Sequence, residues 1–254
     1  LQRSAMASTN IHSRRNEDID LESQEFESFS KSVRHGFIRR VYMLVALQVL
    51  FDLALSLMVI NVPSLKLFML RNLSVIKMTA FAFALISSLL FFFLYNYSNL
   101  LQNHSSKMAF FCIMTISEGV LLSLLALLVN TKYLLMALAF TSIIVISLTI
   151  FSFQTKYDFT SYQAFIFYGT IAFAVFSTIY MFFPTVRIIE LIISPIAIFF
   201  FSFALVQTTQ SIIGNGKQMI YEDDYVLGAL LIHSYIIDIF IYILRFILAV
   251  FERN

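Results

Sequence analysis

Seven apolar runs, each near the length that crosses a bilayer, constrain this chain more than any other feature. They cover about Val41–Ile60, Ile76–Tyr95, Met108–Val129, Leu134–Phe153, Tyr162–Phe182, Ile188–Val206 and Tyr225–Phe251. A membrane-spanning helix needs roughly 20 apolar residues. In hydrocarbon every backbone N–H and C=O must be bonded within its own segment, so runs of this length are helices. The connections are short, which makes successive helices antiparallel. Only 13% of the 254 residues are charged, against roughly 25% in a soluble domain. The surface therefore faces lipid. The expected fold is an all-α polytopic membrane protein, a seven-transmembrane-helix bundle.

The flanking residues set an orientation. Residues 1–36 read as a polar, disordered cytosolic tail, and 37–254 as the helical domain. The tail carries an acidic run from Glu17 to Glu27 and too few apolar residues to fold alone. It lacks the apolar core of a signal peptide. Lys31, Arg34, Arg39 and Arg40 then place the N-terminus in the cytosol by the positive-inside rule. Seven full spans put the C-terminus on the opposite side; a re-entrant last segment returns it to the cytosol. Pro63 and Pro184 lie just past span ends, and Pro195 lies inside the sixth span, where proline can kink a helix.

Composition and motifs also exclude functions. The net charge of +2 is too small to suggest nucleic acid. The single cysteine, Cys112, allows no internal disulfide. No nucleophile–base pair, metal-ligand set or cofactor loop can be assembled, so neither an enzyme nor a cofactor is indicated. Gly214-Asn215-Gly216-Lys217 reads as a turn, because a phosphate loop needs an earlier glycine and a Ser or Thr after the lysine. Glu222-Asp223-Asp224 precedes the seventh span, where acids favour a helix N-terminus.

Three acids stand inside the spans: Asp52 in the first, Glu118 in the third and Asp238 in the seventh. An aspartate at a helix centre costs roughly 2.5–3.5 kcal/mol in a bilayer. Such residues face the bundle interior or water. Gln48 lies one turn from Asp52, and Thr115 shares a face with Glu118. Ser234 and Tyr235 lie one turn before Asp238, whereas His233 points about 140° away from it on a 3.6-residue helix. No lysine or arginine lies deep in a span. Two readings follow. One is a proton- or cation-sensitive cavity. The other is three neutral carboxylic acids that hydrogen-bond neighbouring helices together.

Several stretches resemble one family. Val33-Arg34-His35-Gly36-Phe37-Ile38-Arg39-Arg40-Val41-Tyr42 looks like the entry to the first span of the transmembrane Bax inhibitor motif proteins. Gln154, Thr155, Asp158, Phe159 and Thr160 are similar to their Gln-Thr-x-x-Asp-Phe-Thr signature, closest to the lifeguard branch. Gln210, Asp224-Tyr225-Val226-Leu227 and Tyr242-Ile243-Leu244-Arg245 follow the C-terminal pattern. The resemblance implies a bundle with the C-terminal helix central. It also implies residence in the endoplasmic reticulum, Golgi or other endomembranes, regulation of apoptosis and calcium homeostasis, and a pH-sensitive calcium leak.

The same resemblance marks a departure. In the family an aspartate pair on the sixth and seventh spans shares a proton. The matching positions here are Thr208 and Tyr235, and Asp238 falls where the family usually has Asn. The sequence therefore predicts an altered leak, its ion path or pH-sensing element drawn from Asp238, Glu118, Thr208, Tyr235, Gln210 and Asp52. Calcium is the expected ion and the lipid bilayer the expected surrounding. The alternative is a non-conducting anti-apoptotic protein that binds channels or death regulators.

Overall fold

The computed structural model describes residues 33–76, 78, 104–180, 186–214, 220 and 224–251. Within them the chain forms helix α1 (Val33–Asn61), α2 (Pro63–Arg71), α3 (His104–Leu128), α4 (Thr131–Gln154), a 3-10 turn (Thr160–Tyr162), α5 (Gln163–Tyr180), α6 (Arg187–Ile213) and α7 (Tyr225–Phe251). No strand occurs among the described residues. Five of these helices (α1, α3, α4, α6 and α7) are long and apolar enough to cross a membrane. The apolar α5 covers 18 residues. Most of the second expected span, 76–95, lies outside the described residues, as do Pro184, Glu222, Asp223 and the acidic run of the tail.

Local chemistry explains the boundaries. Only Val62 separates α1 from α2, and Pro63 opens α2 in its first turn, where a missing N–H costs nothing. Asn130 caps α4 by accepting the Lys132 backbone N–H at 3.0 Å. Gly214 ends α6 at φ 81, a left-handed geometry that suits glycine, and its N–H bonds the Gln210 carbonyl at 3.0 Å. Pro195 sits within α6, which continues through it.

The sixth span extends beyond its apolar run. The sequence ends that run at Val206, yet α6 continues to Ile213. Gln207, Thr208, Thr209, Gln210 and Ser211 are helical and buried. They face protein rather than lipid, so hydropathy underestimates the helix.

Helix α7 is central. It packs against α6, α4 and α3, and Gly228 lies against Val41 of α1. Half of its most apolar window is buried, against 11% for α4. Leu135, Ile143, Ile146 and Phe153 of α4 are exposed, as lipid-facing residues should be. Between α6 and α7 the rings of Phe201 and Tyr242 stack at 5.7 Å.

Polar ties hold the helix ends. Arg34 of α1 donates Nη2 to the Ser211 carbonyl at 2.7 Å and Nη1 to the Ile220 carbonyl at 3.1 Å. Lys107 of α3 pairs with Asp224 beside the start of α7. At the other end of the bundle Arg187 of α6 donates Nε to the Ala249 carbonyl of α7 at 2.7 Å.

Candidate functional site

The polar residues of the bundle centre converge on His233. Its imidazole is fully buried on α7. Nε2 lies 2.9 Å from Asp52 Oδ2 on α1, and Nδ1 lies 2.8 Å from Glu118 Oε2 on α3. Ser234 Oγ donates to the other oxygen of Glu118, Oε1, at 2.9 Å. Three helices far apart in sequence are thus joined through one side chain.

Close packing permits the contact. A Cβ on Gly119 would lie 2.9 Å from Asp52 Oδ1, so the glycine lets α1 press its carboxyl against the α3 backbone. One turn earlier on α1, Gln48 donates Nε2 to Thr115 Oγ1 of α3 at 3.0 Å. Thr115 in turn donates to the Phe111 carbonyl at 2.8 Å.

Proton counting defines what this arrangement can do. Each N···O contact of His233 needs a hydrogen between the two atoms. A neutral imidazole supplies one, so a second proton must be held by the ring or by one of the acids. With two such protons the Asp52–His233–Glu118 set carries a net charge of −1, and a third proton makes it neutral. Both ring nitrogens are engaged by carboxylates, so neither is free to bind a metal. Removing one partner from a buried ion pair costs about 3–5 kcal/mol, because it strands the other charge.

The expected site residues divide into groups. Asp52 and Glu118 belong to the network, and Asp52 lies deep in the bundle with only 4% of its surface exposed. Asp238 is half-buried on α7. The charges that act on it are Glu118 and Arg245, which links it to the network without a hydrogen bond among the described residues. Thr208 is buried and donates to Gln207 Oε1 at 3.3 Å. Tyr235 lies two residues beyond His233, hence on nearly the opposite face, and its ring lies 6.2 Å from that of Phe201 on α6.

Gln210 and the signature residues form a different structure. Gln210 Oε1 accepts the Phe159 N–H and its Nε2 donates to the Tyr157 carbonyl, both at 2.9 Å. Asp158 Oδ1 accepts the Thr160 N–H at 2.9 Å and the Thr160 hydroxyl at 2.6 Å, opening the 3-10 turn. Thr155 Oγ1 accepts the Tyr157 N–H at 3.2 Å. Gln154 is the last residue of α4. Phe159 packs edge-on against Phe203 at 5.5 Å. The signature thus folds the α4–α5 connection and fastens it to α6. Beside it Tyr157, Phe159, Tyr162, Phe165 and Phe203 line an open groove of about 590 Å³. The Tyr157 and Tyr162 hydroxyls lie 3.3 Å apart, and that hydrogen bond holds the Tyr157 hydroxyl above the usual tyrosine range.

His233 is the residue that sequence reasoning missed. Its angular separation from Asp238 is real but irrelevant, since its partners lie on other helices. The absence of deep lysine or arginine also suggested unpartnered acids, whereas a histidine serves two of them. The available signal was a histidine inside a span with acids in two others.

Residues 34–253 match the family model described as Bax1-I, inhibitor of apoptosis-promoting Bax1. The chain is 28% identical over 218 residues to Protein lifeguard 3 of Homo sapiens, covering 85% of this chain and 69% of that protein. It is 29% identical over 219 residues to Protein LIFEGUARD 4 of Arabidopsis thaliana, covering 85% of each. To Protein LIFEGUARD 2 of the same plant it is 27% identical over 244 residues, covering 92% of this chain and 98% of that one.

Proposed function

This chain belongs to the Bax inhibitor family, and from that premise we propose that it is a multi-pass endomembrane regulator of apoptosis and calcium homeostasis, acting through a pH-sensitive calcium leak. The observation that carries the reading is the Asp52–His233–Glu118 network, three ionisable groups joined in the centre of a membrane bundle. Buried ionisable groups of this kind mark ion and proton paths in membrane proteins. Thr208 and Tyr235 occupy the positions of the family's aspartate pair. The proton-responsive role then passes to the histidine-centred network, and Asp238, under the influence of Glu118, lies beside the path. The second apolar run, 76–95, completes seven spans, with the N-terminus in the cytosol and the protein in the endoplasmic reticulum or Golgi.

One observation favours a second reading. Thr208 carries a hydroxyl and Tyr235 a phenol, and neither can share a carboxylate proton. On that reading the protein conducts no ion and restrains cell death by binding channels or death regulators. Calcium flux in proteoliposomes from about pH 5 to about pH 8 separates the two. A pH-dependent flux altered by Glu118→Gln supports the leak. Absence of flux at every pH overturns it in favour of the binding role.

A further inference from the structure

One turn apart on helix α1, the amide oxygen Gln48 Oε1 and the carboxyl oxygen Asp52 Oδ1 are buried and meet no donor among the described residues. The two residues are 0% and 4% exposed and lie one turn apart on one face. Their other polar atoms are engaged: Gln48 Nε2 by Thr115, Asp52 Oδ2 by His233. Glu118 differs, since Ser234 and His233 serve both of its oxygens. An unpaired buried acceptor is costly. Side chains four residues apart on one helix face are within reach of each other, so a single proton can serve both.

We propose that Asp52 and Gln48 form a proton-binding site, with the proton on Asp52 Oδ1 and donated to Gln48 Oε1. The balance closes. Asp52 is then a neutral acid whose Oδ2 accepts His233 Nε2–H. His233 is an imidazolium whose Nδ1–H is donated to the Glu118 carboxylate, and the set is neutral within the membrane. On release of the proton Asp52 becomes a carboxylate and the set carries one negative charge. The Gln48 amide then turns over, so that Nε2 donates to Asp52 Oδ1 and Oε1 accepts the Thr115 hydroxyl, which leaves the Phe111 carbonyl it holds here. The amide orientation thus reads the protonation of Asp52 and passes it from α1 to α3. The charges acting on Asp52 are His233 from α7 and Glu118 from α3. Glu118 also acts on Asp238, which Arg245 opposes from the same helix.

The proposal rests on reading this network as the proton-responsive element, but it requires no movement of calcium, so its test is independent of flux. Infrared difference spectra of the full chain in lipid bilayers, recorded between acid and alkaline pH, detect the C=O stretch of a protonated carboxylic acid. One band is expected on the acid side. It should shift in heavy water and on isotopic labelling of aspartate side-chain carboxyls, persist in Asp238→Asn and disappear in Asp52→Asn. Gln48→Leu should move it to higher frequency, because the acid loses its acceptor. Labelling works on the wild type, so a variant that fails to fold leaves the test intact. The absence of any titrating acid band overturns the proposal and means an ionised Asp52 with the Gln48 amide turned over. A band that labelling of aspartate does not shift, that survives Asp52→Asn, or that follows added sodium or calcium rather than pH, also overturns it.

Discussion

His233 Nε2 and Asp52 Oδ2 meet at 2.9 Å across 181 positions of sequence, tying α7 to α1 in the middle of the bundle. The pair is buried on both sides. Removing the imidazole therefore strands an Asp52 carboxyl group that water cannot reach.

His233→Leu should lower stability by about 3–5 kcal/mol, because both Asp52 and Glu118 lose their partner. Chemical unfolding of the purified protein in detergent measures it. Replacing all three residues with Asn, Leu and Gln at 52, 233 and 118 should recover most of that loss, since no buried charge remains. A triple variant as unstable as the single one would show that packing, not charge, dominates.

Gly119→Ala places a methyl group 2.9 Å from Asp52 Oδ1, closer than Cβ contacts occur. Either the Asp52 carboxyl shifts out of its place beside His233 or α1 and α3 move apart, at a cost of about 1–3 kcal/mol for overpacking. The loss should shrink when Asp52→Ala is added, because the clash is with that side chain. Equal losses in the two backgrounds would place the strain elsewhere, against Phe51 or Leu55.

Gln210→Ala removes both bonds that fasten the α4–α5 connection to α6. Each hydrogen bond contributes about 0.5–1.5 kcal/mol. Hydrogen–deuterium exchange should accelerate at Phe159 by about tenfold, while α3 and α7 keep their protection. Unchanged exchange at Phe159 would mean that the packing of its ring, against Phe203 and its neighbours, holds the loop without Gln210.

Lys107 and Asp224 are partly exposed, at 22% and 28% of their side chains. A double-mutant cycle with Lys107→Met and Asp224→Asn should give a coupling of about 0.2–1 kcal/mol that falls with added salt. A coupling as large as that of the buried network would mean that the pair is shielded from solvent.

The Tyr157 hydroxyl should ionise above the ordinary tyrosine range, because Tyr162 hydrogen-bonds its protonated form. For a group raised on folding, the associated stabilisation is present at neutral pH and is lost as pH rises through the folded value. Ultraviolet titration should return Tyr157 toward normal in Tyr162→Phe. An unaltered titration would show that the two hydroxyls do not interact in solution.

Much of the architecture was legible from residue order. The runs at Val41–Ile60, Met108–Val129, Leu134–Phe153 and Tyr225–Phe251 each lie within or close to an observed helix, because length and apolarity are local properties that lipid reads directly. The signature residues Asp158, Phe159 and Thr160, consecutive in the sequence, fold into one turn. Hydropathy ends α6 at Val206, seven residues short of its observed end. Gln207 to Ser211 look like a helix stop in a hydropathy profile, but buried against protein they continue the helix to Ile213.

The sequence by itself determined that this is a membrane protein, where most of the described apolar helices lie, and that three acids stand inside them. It also determined the family. Only the tertiary structure decided which polar groups meet. Asp52, Glu118 and His233 lie on separate helices, and their contact depends on the rotation and register with which α1, α3 and α7 pack. A helix fixes the angles among its own residues, which is why Gln48 and Asp52 could be paired in advance. It says nothing about the angle of a neighbouring helix. That angle is set by close packing along the whole interface, including the missing side chain of Gly119 that lets the Asp52 carboxyl reach the centre.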